Sequence, residues 1–230
     1  MVGRKGYYYL ALALVFMGCS SKEDKKDISQ TQVVAQLPLG NPGEGKALFV
    51  TCQACHGESA QGNLKMHAPA LANMEDWYLY RQLMNFHKGI RGYITTDTLG
   101  FQMAAMAKTL KDSIAISHVV AYIKTMPEVK LPSIIEGDIK KGERTYQSIC
   151  GSCHGAGAKG NEKMNAPRLN GVDDWYLKAQ ITKFKSSLRG AHPQDKFGGQ
   201  MIPMATLLAD DQAIDDVIAY IRSTTQPAGE

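Results

Sequence analysis

Cys52-Gln53-Ala54-Cys55-His56 and, 98 positions later, Cys150-Gly151-Ser152-Cys153-His154 are two copies of one pattern, Cys-x-x-Cys-His. Two cysteines at this spacing on a turning backbone can bring their sulfurs to adjacent vinyl groups on one porphyrin edge. The neighbouring imidazole then falls beneath the iron. Each copy is followed, 51 residues after its first cysteine, by a methionine: Met103 in the first and Met201 in the second. The pattern predicts two covalently held haem c groups, with Cys52, Cys55, Cys150 and Cys153 as anchors and His56 and His154 on the irons. A histidine and a methionine together fill both axial positions, which suits electron movement rather than oxygen binding.

The chain has 230 residues and five cysteines, an odd count that argues against a closed disulfide framework. Zinc also takes paired cysteines and histidines, but its histidine rarely abuts the second cysteine as it does here twice. A thioredoxin-like Cys-x-x-Cys would sit in a βαβ pattern, and none surrounds either pair.

The fifth cysteine belongs to the N-terminus. Arg4 and Lys5 precede an apolar run, Tyr7 to Met17, of 11 residues. Such a run is too short to span a bilayer and suits a secretory signal. Phe16-Met17-Gly18-Cys19 resembles the lipobox of bacterial lipoproteins, whose signal is cleaved before a cysteine that is then acylated. Residues 1–18 are therefore expected to be a signal peptide, Cys19 a lipidation site, and 19–39, polar and poorly periodic, a flexible tether. Net charge is +4, and Arg4 and Lys5 leave with the signal, so the mature chain is near +2. No block of like charge stands out, which argues against nucleic acid as a partner.

From the first cysteine onward the chain repeats itself with a shift of 98. Ala68-Pro69 matches Ala166-Pro167, Asp76-Trp77-Tyr78-Leu79 matches Asp174-Trp175-Tyr176-Leu177, and Arg91-Gly92 matches Arg189-Gly190. Gln102-Met103 then matches Gln200-Met201, and Ala121-Tyr122-Ile123 matches Ala219-Tyr220-Ile221. Upstream the register slips by one: Gly45 precedes Cys52 by seven residues, while Gly142 precedes Cys150 by eight. Two domains of one kind are expected, 40–128 and 136–226, joined by a linker at 129–135; Pro127 just before it stops one helix and Pro132 within it delays the next.

Helices are predicted from Gly45 and Gly142 into the motifs, over Trp77–Lys88 and Trp175–Lys185, and over Asp112–Thr125 and Asp210–Ser223. Strands are not expected. Gly45 and Phe49 should meet Tyr122, and Gly142 and Tyr146 should meet Tyr220, where first and last helices cross. One methionine of Met103/Met106 and one of Met201/Met204 should bind iron while the other packs against the ring. The Pro69 and Pro167 carbonyls could accept the axial histidines' Nδ1–H. Trp77 and Trp175 are expected to wall the haem. His67, His87, His118 and His192 lack histidine counterparts in the other repeat and are read as surface residues.

This succession of helix, Cys-x-x-Cys-His, Ala-Pro-x-Leu, Trp-Tyr-Leu helix, Met-x-x-Met-Ala and closing Ala-Tyr-Ile helix resembles class I cytochrome c. The tandem arrangement resembles the diheme cytochrome c4 family over residues 40 to 225. The resemblance implies an all-α fold of two cytochrome c domains, each wrapped around one covalent haem. It also implies Met103 and Met201 as iron ligands, with Met106 and Met204 as alternatives, and two domains paired with their haem edges close together. The implied function is electron transfer without chemistry of its own, on the periplasmic side of a bacterial membrane. A quinol-oxidising complex is the expected donor, a terminal oxidase or reductase the expected acceptor, and lipid the expected anchor. The alternative is a haem-bearing subunit of a redox enzyme, such as a diheme peroxidase or a sulfur-compound dehydrogenase.

Overall fold

The computed structural model describes residues 40–225, together with Met1 and Gly3. Cys19 and the tether 19–39 lie outside the described residues, as does the signal segment apart from Met1 and Gly3. The described stretch 40–225 forms one compact unit. It is helical, and its pairings of extended backbone are two isolated bridges, Asn63 with Ala68 and Asn161 with Ala166.

The first half runs α1 (Pro42–His56), α2 (Asp76–His87), α3 (Thr98–Ala107) and α4 (Ser113–Ile123). The second runs α5 (Ile139–Thr145), a wide turn at Tyr146–Cys150, α6 (Gly151–His154), α7 (Asp174–Lys185), α8 (Lys196–Thr206) and α9 (Asp211–Ser223). Helix α1 starts where the Asn41 side chain accepts the Gly43 N–H at 2.8 Å, with Pro42 in the first turn. Proline suits that position because its missing N–H would have had no partner there.

The expected crossings are present. A Cβ at Gly45 would collide with the His118 carbonyl of α4, and one at Gly142 with the Asp216 carbonyl of α9. Beside these contacts Phe49 meets Tyr122 edge-on at 5.6 Å between ring centroids, and Tyr146 meets Tyr220 at 5.2 Å. Ile116, Val119, Val120 and Ile123 of α4 are buried, as are Ile214, Val217, Ile218 and Ile221 of α9. These stripes are what hold α1 and the α5–α6 segment down.

The one-residue slip has a structural counterpart. The second motif helix widens over Tyr146–Cys150, where the Gly151 N–H reaches back to the Tyr146 carbonyl, five residues earlier. A single wide turn takes up one extra residue. Gly142 and the motif therefore keep the same relation to the core as Gly45 and its motif, despite eight intervening steps instead of seven.

Helices α3 and α8 were absent from the helical pattern read in the sequence. Gly100, Gly198 and Gly199 lower helix propensity, and Pro203 lies inside α8. Both helices are instead set by caps: Asp97 accepts the Gly100 N–H and Asp195 the Gly198 N–H, each at 3.0 Å.

Of the four spare histidines His67 is exposed and His87, His118 and His192 are half-buried, and each makes a contact. His118 Nδ1 accepts the Asn41 N–H at 2.8 Å, and its counterpart Asp216 accepts the Asp138 N–H at 2.8 Å. His87 donates to the Ala107 carbonyl at 3.2 Å, and its counterpart Lys185 donates to the carbonyl of Ala209 at 3.2 Å. Different side chains thus tie the same pairs of elements. His67 packs on Trp175 and His192 on Tyr93, each contact joining the two halves.

The non-helical stretch 127–138 between the halves is fixed at several points. Asn73 exchanges two hydrogen bonds with the Val129 backbone, at 2.9 and 2.8 Å. The fully buried Asp174 carboxylate accepts the N–H groups of Ile134 and Ile135 at 2.7 and 3.0 Å.

Candidate haem sites

Each motif sits at the end of a helix whose crossing with the last helix of its half fixes its direction. His56 and His154 are both buried. Each has Nδ1 2.8 Å from a proline carbonyl, Pro69 for His56 and Pro167 for His154. A carbonyl can only accept, so Nδ1 carries the proton and the Nε2 lone pair is left for a metal. Burial lowers both histidine pKa values, although the proline carbonyl works the other way, so the neutral, ligating imidazole is favoured.

Burial, followed by the neighbouring Cys55 and Cys153, pushes the Cys52 and Cys150 thiols up to about 11. Among the described residues no group of three or more His, Cys, Asp or Glu side chains is placed to hold an ion directly.

In the second half one largely apolar cavity is lined by Cys150, Cys153 and His154, by Pro167, and by Met201 and Met204 of α8. Anchors, axial histidine and both candidate methionines thus face a common space. The buried Arg189 also lines it, and its Nε has no hydrogen-bond partner. A buried, unpaired guanidinium nitrogen is costly unless an anion belongs beside it. Haem brings carboxylates on its propionates, so these residues fit the group. In the first half, Cys52 and Met103 pack against the core, and the Pro69 bond holds His56 as Pro167 holds His154.

Of the two tryptophans expected to wall the haem, Trp175 is not among the residues lining the second-half cavity, where Tyr176 stands instead. The Trp77 ring lies under the Arg81 guanidinium at 4.7 Å and Trp175 against His67 at 6.2 Å, while the second cavity is lined by Tyr78 and Tyr176. Helical geometry explains this, since neighbouring residues point about 100° apart.

Sequence reasoning missed a polar network where the halves meet. Arg91 donates to Gln82 of its own half at 2.7 Å, and to Gln180 and Tyr176 of the other at 2.8 and 3.1 Å. Arg189 repeats the pattern with Gln180 at 2.9 Å, Tyr78 at 2.9 Å and Gln82 at 3.1 Å. Outside it, Ala70 N–H donates to Asp173 and Arg168 N–H to Glu75, each at 2.8 Å. Every one of these contacts has a partner displaced by 98 positions, so the halves are related by an approximate two-fold. The signal lay in the polar matches Tyr78/Tyr176, Gln82/Gln180 and Arg91/Arg189. No local pattern reads them as an interface.

The cytochrome c family model matches the chain twice, at residues 43–127 and 139–225. The chain is 31% identical over 175 residues to the thiosulfate dehydrogenase electron acceptor of Thiomonas intermedia, covering 70% of this chain and 73% of that protein. It is 30% identical to the cbb3-type cytochrome c oxidase subunit FixP of Sinorhizobium medicae, covering 65% of this chain and spanning about half, 52%, of that longer subunit. Reduced cytochrome c4 from Pseudomonas stutzeri superposes with a TM-score of 0.60 at 25% identity, over 80% of this chain and 98% of the other. Two matched domains, each with its Cys-x-x-Cys-His, give two covalently bound haem c groups per chain. The chain belongs to the cytochrome c family, as a tandem two-haem electron carrier of the cytochrome c4 kind.

Proposed function

We propose that His56 with Met103, and His154 with Met201, are the axial pairs of two low-spin haems, held by Cys52, Cys55, Cys150 and Cys153. Met106 and Met204 pack against the rings. The observation that carries this is the second cavity, which takes in His154, both of its cysteines and Met201 together. When bound, haem supplies an iron that changes between the ferric and ferrous states. The residues supply the rest. The proline carbonyls fix each imidazole and raise its basicity, the apolar walls exclude water, and the thioether sulfurs favour the reduced state. With both axial positions filled, the carrier takes up and passes on electrons without turning over a substrate.

Its partners are redox proteins. The relatives' names support a donor such as a sulfur-compound or quinol-oxidising complex, and an acceptor such as a terminal oxidase. The reading also places the protein outside a bacterial cytoplasmic membrane, tethered by an acylated Cys19 after removal of residues 1–18. Among the described residues no helix is long and apolar enough to cross a membrane.

The ligand assignment is tested by potentiometric titration of Met103→His and Met201→His. Each should lower the potential of one haem by on the order of 0.1 V and leave the other in place. A shift on replacing Met106 or Met204, with Met103→His and Met201→His silent, would assign the neighbouring sulfur instead.

A further inference from the structure

The two methionine helices begin alike and are secured differently. Asp97 caps α3 so closely that a Cβ at Gly100 would strike its carboxylate, and Asp195 stands in the same relation to Gly198 of α8. Both aspartates are buried. A buried carboxylate is held more firmly when a cation stands beside it. For Asp97 that cation comes from the other domain: Lys183 of α7 places Nζ 2.6 Å from Oδ1, with the two side chains 18% and 5% exposed. The repeat holds no second copy, because Asn85 stands 98 positions before Lys183. Arg81 and Arg189 feel the charge of Asp195, but among the described residues none makes an ion pair with it.

We propose that Lys183 is a positioning residue for the first haem: reaching from the second domain through Asp97, it holds α3 and with it the sulfur of Met103. This rests on Met103 being the axial ligand. A neutral thioether is a soft ligand whose hold on iron depends on where the helix keeps it. Without Lys183, Asp97 is a buried charge with no counter-ion. The cap would then stand as that of Asp195 does, without an ion pair, and the first turn of α3 (Thr98–Ala107), less than two turns before Met103, would be held less firmly. The second haem has no such device, so its sulfur is indifferent to Lys183.

The test uses the full-length, two-haem protein in the oxidised state. Iron-bound methionine methyls give strongly shifted proton NMR signals, one per haem, which are followed to alkaline pH until the sulfur is displaced. The first haem's signal is the one that Met103→His abolishes. In Lys183→Met that signal should be lost at lower pH, with the sulfur held at least about tenfold more weakly. The second signal should stay unchanged, and Lys183→Arg should restore the first. Equal movement of both signals, or none, or no rescue by arginine, would overturn the proposal. Should Lys183→Met not accumulate with two haems, Asn85→Lys decides: a lysine offered to Asp195 should raise the displacement pH of the second signal alone, and no change counts against the device. A native protein without either methyl signal would remove the ligand assignment itself. Native signals that Lys183→Met leaves untouched would remove only this inference.

Discussion

A histidine that binds iron through Nε2 needs its Nδ1 occupied, and Pro69 and Pro167 do this with backbone carbonyls that no side-chain substitution deletes. Other single residues are interchangeable so long as the job is done. His118 and Asp216 both accept the N–H that opens the first helix of their half. The Asp138 amide, with the Gln212 side chain, holds the Asp216 carboxyl below the usual carboxylate range. A carboxylate with a depressed pKa stabilises the fold above its unfolded pKa, about 3.9, and that contribution fades as pH falls through the folded value. Asp216→Asn keeps an acceptor oxygen but cannot titrate. It should be less stable near neutrality by about 1 kcal/mol and lose less stability on acidification. Helical circular dichroism melts from neutral pH to about pH 3 measure this. An acid limb identical to the native one would show that the bond does not matter.

At the scale of elements, the wide turn at Tyr146–Cys150 lets one architecture accept two sequence lengths. Deleting the exposed Ser148 should close it into an ordinary helix with both ends where they were, and the second haem should still attach. Deleting Val50 from α1, which has no slack, should turn Cys52 to His56 by about 100° and lose the first haem. Haem content per chain separates the two, and loss of the second haem in the Ser148 deletion would contradict this account of the turn. Much of this level was legible beforehand. The glycine-aromatic crossings and the helices α4 and α9 stand where they were expected. Helices α3 and α8 were not legible, because glycines and Pro203 mask helices that are held by Asp97, Asp195 and the packing around them. Trp175 and Tyr176 are adjacent aromatic residues, and only packing decides that Tyr176 lines the second-half cavity.

Across the whole molecule, duplication explains what a single domain would not. Arg91 and Arg189 are buried and, among the described residues, make no ion pair; they share glutamines and tyrosines contributed by both halves. Buried guanidiniums facing one another repel unless anions lie close by. Haem propionates would add such charge at the Arg189 side of the second-half cavity. The network joins residues 85 to 111 positions apart across the halves and cannot be read from either repeat alone. The motifs, in contrast, declare their chemistry locally, because covalent attachment confines both cysteines and the histidine to five consecutive residues.

The most direct measurement of the central claim is the intact mass of the purified, fully denatured chain, with haem absorbance recorded on the same species. Two thioether-linked haems should survive unfolding, so the mass should exceed that of the polypeptide by two haem groups, falling to one when Cys150 and Cys153 are both replaced by alanine. A denatured chain with the bare polypeptide mass, its colour lost to solvent, would contradict it.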